Sequence, residues 1–356
     1  MEEQLVLLAE RFREEGGRFL PLFVCDASAD AAQFRECGVD VRCLDLRRFS
    51  WGALLALRRL VRAERVDLIH WNFTQPLTNP YVWALTVLTP GVRHWFTDHN
   101  AHLHPLPPRP RGAIRLLKLL LFRRYGRALC VSRYVWDCLE DQRVWSNLVC
   151  VRHFVNTARF RPDADARRRL REELGAGDRF VLLVVGALIK DKGIDVAVRA
   201  LAEVPGAVLW IVGEGAEEGA LRRLIAERGL DDRVRLLGLQ ARVQPYLQAA
   251  DCFVCPSLCE AAGLVNIEAQ ACGTPVVASR VGGIPEYVSD GRTGLLFPPG
   301  DSRELARCVR RLVEDPALQA RLAGQARTDA LERFSPAARL PDYLDLYRGW
   351  KDAAAA

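Results

Sequence analysis

The sequence predicts an α/β protein built from two doubly wound domains. Two series of short apolar strands alternate with helical segments, one on each side of a charged, proline-containing segment at residues 157–178. Repeated βα units favour a parallel sheet with helices on both faces. A length of 356 residues also exceeds what one hydrophobic core usually supports. We therefore predict domains at 1–156 and 179–335, a linker at 157–178, and a terminal helix and tail at 336–356.

The first series begins on a helix, which is unusual for an α/β domain. Leu5, Leu8, Ala9 and Phe12 recur at helical spacing over residues 1–15. The segments that follow are predicted strands at 18–24, 39–44, 66–71, 92–97 and 128–131, with helices at 50–64, 80–88 and 112–124.

The second series starts near Arg179 and contains six apolar strand segments, each followed by a helix or a turn. They read FVLLVVGAL, VLWIVG, VRLLG, CFVCPS, PVVAS and TGLLF. Ligands of open α/β sheets bind beyond the carboxyl ends of the strands. The loops after these strands are therefore the first place to look for a binding site.

Composition is that of an ordinary globular protein, with half of the residues apolar and a net charge of +6. No apolar run reaches the length of a bilayer span, and no signal-peptide pattern opens the chain. We expect a cytoplasmic protein. The eleven cysteines lack the spacing of a disulfide scaffold, so reduced and mostly buried thiols are expected.

The stretch 256–278 carries two carboxylates on either side of a helix start. Glu260 lies in a loop, and Glu268 lies within a helix predicted at about 263–272. The backbone amides between them can bind an anion, because the first amides of a helix are unpaired and the helix dipole favours negative charge. These amides belong to Ala262, Gly263, Leu264 and Val265. An anion cradle between two hydrogen-bond acceptors suits a phosphorylated, hydroxyl-rich ligand such as a nucleotide sugar.

This stretch resembles the signature of the retaining glycosyltransferases of family 4, which have the GT-B fold. The resemblance implies two Rossmann-like domains facing across a cleft, and transfer of a sugar from a nucleoside-diphosphate sugar to an acceptor hydroxyl. It implies that Glu268 binds the ribose hydroxyls and that Glu260 touches the transferred sugar. Family members usually carry Gly-Phe where this chain has Ala261-Ala262, so the sugar specificity is not implied. They also begin with a strand and a glycine loop, about 15 residues that are expected to be missing here.

The loop after the first strand of the second series supplies positive charge. Lys192, just before Gly193, matches the family lysine that grips the donor diphosphate. The arginine of the same motif is replaced by Ala187, and Lys190 is a candidate to supply the missing charge. A solvated loop is the alternative interpretation of both lysines.

Glycines end the next two strands. Gly213-Glu214-Gly215, with Gly219 four residues on, resembles a dinucleotide fingerprint whose last spacing is off. The family resemblance instead implies that Gly213 lies near the nucleotide and that Gly238 lies where backbone groups bind the base. Glycines required only by tight turns remain an equal alternative.

The histidines all lie in the first 153 residues. His99 follows the strand at 92–97 and matches the family histidine beside the transferred sugar. Asp98 and Asn100 can orient its ring through Nδ1. His70 is interpreted as a strand-end residue rather than a catalyst.

A metal site is the less favoured interpretation. Asp98, His102 and His104 have enough ligands for zinc, but the spacing is irregular and GT-B enzymes generally work without a metal. Cys252 and Cys255 fall in or beside an apolar strand and are interpreted as core residues. No metal and no cofactor are expected, apart from the nucleotide-sugar donor.

Residues 109–127 contain seven basic residues and no acidic one, with leucines at helical spacing. Such a helix can lie on the inner face of an anionic membrane. A helix that packs on the sheet with a solvated basic side is the alternative. Nucleic-acid binding is not expected, because no interleaved aromatic residues or known module accompany the charges.

Three rival functions stay open. A GT-B protein that binds donor without transferring sugar would explain Ala187 and the missing first strand. A sugar-nucleotide epimerase would need a carboxylate in the first domain, where His99 is the more evident candidate. A dehydrogenase would rest only on the imperfect glycine pattern at 213–219.

Overall fold

The computed structural model describes residues 2–23, 38–46, 48–72, 79–100, 112–122, 125–143 and 147–355. The chain divides into two compact units. Of the described residues, those up to Asn100, those from Gly112 to Arg152 and those from Leu340 onward form unit 1, and His153–Arg339 form unit 2. Both alternate strands and helices, which confirms the predicted α/β class.

Unit 1 contains the first strands and helices, whose bounds are close to the predicted ones. Its strands are β1 (Leu22–Phe23), β2 (Arg42–Cys43), β3 (Leu68–Asn72), β4 (Arg93–Asp98), β5 (Tyr125–Cys130) and β6 (Leu148–Cys150). Its first helices are α1 (Glu2–Glu14), α2 (Trp51–Ala63), α3 (Pro80–Leu88), α4 (Gly112–Phe122) and α5 (Arg133–Asp141). β1 and β2 pair in parallel, and β3-β4-β5-β6 form a parallel four-stranded sheet in that order.

Local sequence sets the starts of these helices. The side chain of Ser50 accepts a hydrogen bond from the Ala53 amide at the start of α2. Asn79 caps α3 with Pro80 at the first helical position, and Ser132 caps α5. These side chains satisfy amides that the first helical turn leaves unpaired.

Unit 2 is built on a six-stranded parallel sheet. Its strands are β7 (Val181–Val185), β8 (Val208–Val212), β9 (Val234–Leu236), β10 (Cys252–Cys255), β11 (Val276–Ser279) and β12 (Gly294–Phe297). Its helices are α6 (Ala164–Glu173), α7 (Ile194–Ala202), α8 (Glu218–Glu227), α9 (Gln244–Ala249), α10 (Leu264–Ala271), α11 (Ile284–Tyr287), α12 (Ser302–Glu314) and α13 (Pro316–Arg333), with a 3₁₀ turn at Lys190–Lys192. The last helix, α14 (Pro336–Ala355), runs from the end of unit 2 into unit 1.

The strand order β12-β11-β10-β7-β8-β9 places β7 beside β10. The chain order reverses between these two strands, and such a switch point is where open α/β sheets bind ligands. Strands β7 and β8 are continuous apolar runs buried on both faces, as expected for a parallel sheet.

The segment 157–178, predicted as a linker, is part of unit 2. Its helix α6 supplies Arg171, which pairs with Asp251 at 2.9 Å, and Arg167, which pairs with the same carboxylate. Asp251 also accepts the Val181 amide at 2.7 Å, so it ties α6 to the first residue of β7. Charges that suggested a solvated linker are therefore partners of a partly buried carboxylate.

In unit 1, α14 is held on the sheet by a buried aromatic cluster. Tyr347 stacks on Trp95 with ring centroids 5.0 Å apart, and its hydroxyl contacts Nδ1 of His70. The other ring nitrogen of His70 contacts Thr97. Burial, assisted by nearby His99, lowers the pKa of His70 to about 3, so the ring is neutral. His70 lies within β3 and acts as a packing residue.

Two further properties concern the described part of the chain. Nine of its cysteines are free thiols, and seven of these are buried. None of its helices combines the length and the apolar character needed to cross a bilayer.

Candidate functional site

The loops after β7 and β10 meet at the switch point. Gly193 adopts a left-handed conformation (φ 58°), and a Cβ at this position would lie 2.3 Å from the carbonyl oxygen of Pro256. The Leu258 amide donates to the carbonyl of Asp191 at 2.7 Å. Only glycine allows this close backbone approach. The two loops therefore form one wall of the site.

An ion pair joins the two loops. Lys192 Nζ lies 2.7 Å from Glu260 Oε2, and both side chains are partly buried. Burial acts to lower the pKa of the Lys192 ammonium, but the charge of Glu260 and its hydrogen bond outweigh this, so the pKa is raised. Lys192 is therefore a fixed cation at neutral pH. The structure brings these two predicted site residues into contact.

Helix α10 begins beside this pair. Gly263 precedes the helix in a left-handed conformation (φ 74°) and provides no side-chain cap. The backbone amide of Asn266 donates to the carbonyl of Gly263, and this is the first hydrogen bond of the helix. The amides of Leu264 and Val265 come before it in the chain. A helix start without a side-chain cap, next to a lysine, is suited to an anion.

Glu260 is also fixed from the loop after β11. The Gly283 amide donates to the Glu260 carbonyl at 3.0 Å, and a Cβ on Gly282 would lie only 1.9 Å from that oxygen. Gly282 is therefore required by close backbone packing. Its position holds the backbone of Glu260 against α10.

Glu268 lies on the half-exposed face of α10. Leu264, Val265 and Glu268 are partly exposed, whereas the other residues of the helix are buried. Positions 264, 265 and 268 lie on one side of a helix. Glu268 therefore shares the face on which the start of α10 opens to solvent.

The predicted glycines after β8 pack against the β7 loop. A Cβ on Gly213 would lie 1.9 Å from the carbonyl oxygen of Gly186, and one on Gly215 would lie 2.5 Å from that of Leu188. The Gly213 amide donates to the carbonyl of Gly238 at 2.8 Å. Close loop packing accounts for Gly213 and Gly215. Contact of Gly213 and Gly238 with a nucleotide stays a prediction.

Ala187 and Lys190 lie in the same β7 loop as Lys192, and both are exposed. Two residues along a 3₁₀ turn differ in direction by about 120°, so Lys190 and Lys192 project differently. Nothing in this geometry gives Lys190 the role of the replaced arginine.

Asn266 is a residue that sequence reasoning missed. Its side chain is 0% exposed, and neither its oxygen nor its nitrogen has a hydrogen-bond partner among the described residues. A Cβ on Gly263 would lie 2.4 Å from Asn266 Nδ2 and 3.4 Å from Glu260 Cγ. The side-chain amide of Asn266 and the side chain of Glu260 therefore both lie next to Gly263. The available signal was a polar residue inside the apolar run LVNIEAQA.

In unit 1, His99 follows β4 at the carboxyl edge of the sheet. Its Nε2 lies 3.0 Å from Oδ1 of Asn72, the last residue of the neighbouring strand β3. Asp98 Oδ1 accepts both the backbone and the side-chain N–H groups of Asn100. The ring was expected to be oriented through Nδ1 by Asp98 and Asn100. The ring contact in the structure instead joins Nε2 to Asn72, a residue that sequence reasoning missed. An oxygen acceptor at Nε2 places the proton there and the lone pair on Nδ1.

The charge of His99 follows from its surroundings. Burial lowers its pKa to about 4, although nearby Asp98 acts in the opposite direction. The imidazole is therefore neutral at physiological pH. It can exchange hydrogen bonds with a hydroxyl, but it does not supply a positive charge.

The metal alternatives gain no support from the described residues. Among them, no group of three or more histidine, cysteine or acidic side chains has the arrangement of a metal site. Cys252 and Cys255 are buried in β10, where they belong to the core. His102 and His104 lie outside the described residues.

Comparison with known proteins identifies the class. The model for "Glycosyl transferases group 1" matches residues 166–329, and the model for "Glycosyltransferase Family 4" matches residues 1–159. The solved structure of Anabaena HepE in complex with UDP and glucose is similar, with a TM-score of 0.84, 22% identity, and coverage of 98% of this chain and 95% of that one. Two parallel-sheet Rossmann-like units of this kind define the GT-B glycosyltransferases.

Proteins that are similar in sequence identify the family of this chain. The lipopolysaccharide core biosynthesis glycosyltransferase LpsE of Rhizobium meliloti is 36% identical over 248 residues, 68% of this chain and 72% of that protein. The GDP-mannose-dependent alpha-(1-6)-phosphatidylinositol monomannoside mannosyltransferase of Mycolicibacterium smegmatis is 38% identical over 215 residues. This match covers 57% of the chain and only 56% of the relative. The chain belongs to the family 4 glycosyltransferases and is an enzyme of the transferase class.

Proposed function

We propose that the protein transfers a sugar from a nucleoside-diphosphate sugar to an acceptor hydroxyl, with retention at the anomeric carbon and without a metal ion. The observation that carries this proposal is the Lys192–Glu260 contact of 2.7 Å beside the start of α10. A cation next to unpaired helix amides suits a diphosphate. Glu260 and Glu268 then serve as acceptors for the hydroxyls of the sugar and the ribose.

The chemistry requires stabilisation of the departing phosphate. The bond between C1 of the sugar and the phosphate oxygen breaks while the acceptor oxygen bonds to C1 from the same face. The acceptor proton passes to the departing phosphate. Once the donor has bound, Lys192 and the amides of Leu264 and Val265 are in place before the bond breaks, so they stabilise the developing negative charge without further reorganisation.

The donor is best identified by a thermal shift panel. UDP-glucose, UDP-N-acetylglucosamine and GDP-mannose are suitable probes, since one structural neighbour was solved with UDP and glucose and one relative is named for GDP-mannose. A donor present at 100 times its Kd raises the free energy of unfolding by about 2.7 kcal/mol. A rise in Tm with one member supports the proposal. If the whole panel leaves Tm unchanged, the proposed donor class is wrong.

His99 is assigned to the reacting sugar. Replacing it with alanine is expected to reduce turnover about 100-fold, because a positioned hydrogen-bonding group in the transition state is lost. Donor affinity should change much less. Because burial lowers the pKa of His99 to about 4, its protonation should not affect the wild-type rate between pH 5.5 and 8. Steady-state kinetics across that range measure both effects.

The control for this prediction is Asn72→Ala. Loss of its Oδ1 removes the partner of His99 Nε2, so a smaller fall in turnover is expected with the same selectivity for turnover over affinity. Equal losses of turnover and donor affinity in His99→Ala would instead assign the residue to donor binding.

Ala187 is exposed where the family carries an arginine. Release of nucleoside diphosphate from the donor, measured with and without candidate acceptors, tests the transfer step. Donor binding with no release under any condition would contradict the proposed transfer.

The proposal includes peripheral contact with an anionic membrane through residues 109–127. Within α4, Leu116 and Leu120 are 59% and 57% exposed and lie one turn apart beside exposed Arg115. In α2 of the same unit, Trp51 is 73% exposed. Exposed apolar and aromatic side chains with arginine suit a lipid interface. Co-sedimentation with phosphatidylglycerol vesicles, but not with phosphatidylcholine vesicles, would support this contact.

A further inference from the structure

The Lys192–Glu260 pair conflicts with the roles of its two members. In the structure the ammonium and the carboxylate are bound to each other. In the proposed function Lys192 must contact the diphosphate and Glu260 must contact the sugar. The donor therefore competes with this ion pair for both of its members. A partly buried carboxylate that loses its cation needs another hydrogen-bond donor.

The side chain of Asn266 is placed to supply that donor. Asn266 Nδ2 and Glu260 Cγ lie 2.4 Å and 3.4 Å, respectively, from the position that a Cβ on Gly263 would occupy. Neither polar atom of the Asn266 side chain is hydrogen-bonded within the described part of the chain. Ser257 Oγ, at 3.5 Å from Glu260 Oε2, is a weaker donor.

We propose that Asn266 is a positioning residue that receives the Glu260 carboxylate when Lys192 turns to the donor diphosphate. One carboxylate oxygen then accepts the Asn266 amide, and the other faces the sugar. This inference rests on the proposed function. A Cβ at position 263 would collide with Asn266 Nδ2 at 2.4 Å and would touch Glu260 Cγ at 3.4 Å, and the left-handed φ of 74° also favours glycine there.

Replacing Asn266 should change protein stability and donor affinity in opposite directions. A buried amide with no partner destabilises the ligand-free protein, so a leucine of similar volume is expected to keep or raise Tm. Donor affinity should nevertheless fall about tenfold, because a hydrogen bond to a charged group is lost in the complex. Asn266→Ala serves the same comparison if leucine does not fit.

A double-mutant cycle gives the main test. Calorimetry with the panel donor that gives the largest thermal shift compares wild type, Asn266→Leu, Glu260→Gln and the double variant. Asn266→Leu should weaken binding about tenfold in the wild-type background and less than about twofold beside Gln at 260, where no charge needs a partner. Gln270→Leu, a buried residue one turn along α10, is the matched control and should show no such coupling.

A pH profile provides a readout that a packing role would not change. Asn266→Asp places a second carboxylate beside Glu260, and like charges raise the pKa of such a pair. Donor affinity should therefore be lower than in wild type at neutral pH and should recover on acidification, because the new carboxyl, once protonated, can donate a hydrogen bond to Glu260. The other groups that face Glu260 are Lys192, Asp191, Cys255, Cys259 and Ser257, and all of them are common to both proteins.

The outcomes separate this inference from the proposed function. Wild-type protein that binds none of the panel donors contradicts the proposed function itself. Wild-type binding with additive losses in the cycle, or with unchanged affinity in Asn266→Leu and Asn266→Ala, overturns the role of Asn266 alone.

Discussion

Replacing Lys192 with alanine is expected to reduce sugar transfer by about 10²–10³-fold, the size found when one preorganised group aimed at developing charge is removed. The ammonium is fixed by the loop that Gly193 closes and by Glu260 at 2.7 Å. Its pKa is raised, so it remains charged throughout the neutral range. Steady-state rates with the identified donor measure the effect.

Lys190→Ala is the matched control for this prediction. Lys190 belongs to the same 3₁₀ turn, carries the same charge and is exposed. Its removal should change the rate less than about threefold, as for a solvated charge. Equal effects of the two variants would show that the net charge of the loop matters rather than the position of Lys192. An unaffected rate in Lys192→Ala would remove this residue from the catalytic role.

Asp329→Ala is expected to lower the free energy of unfolding by about 3 kcal/mol, more than any other substitution named above. Asp329 is 0% exposed and pairs with Arg292 at 2.8 Å and Arg333 at 2.6 Å. The effect lies at the lower end for a broken buried pair because Arg292 is 53% exposed and regains water. Urea denaturation of the two proteins measures the difference.

The control is Asp195→Ala, which breaks an exposed pair with Arg199 on α7. A change of about 0.5 kcal/mol or less is expected there. A similar small change in Asp329→Ala would mean that Asp329 does not link α13 to the rest of unit 2.

Much of the fold follows from local sequence. Buried parallel strands are continuous apolar runs, and helices such as α3, at Pro80–Leu88, carry their own start signals, so both were predictable with small errors at the ends. The segment 157–178 was harder, because its arginines bind a carboxylate about 80 residues away. Sequence patterns do not show which distant charge is a partner.

The candidate site likewise has features that were predictable from the sequence and features that were not. The start of α10 and the nearby lysine were predictable from spacing and from a family resemblance, and the structure places Lys192 2.7 Å from Glu260. Their roles in donor binding stay predictions. Asn72 was not predictable, because it meets His99 only through the pairing of β3 with β4. Asn266 was signalled only as a polar residue in an apolar run, since its burial without a hydrogen-bond partner among the described residues is visible only in the structure.

The central claim is that a nucleotide sugar binds at the start of α10, and calorimetry of Glu268→Ala tests it most directly. Glu268 lies on the half-exposed face of that helix, and its loss should weaken binding of the identified donor at least about tenfold, since hydrogen bonds to a charged group are removed. Glu227→Ala, an exposed acid on α8, should bind the donor like wild type. If Glu268→Ala binds the nucleotide sugar with wild-type affinity, the site is not where this account places it.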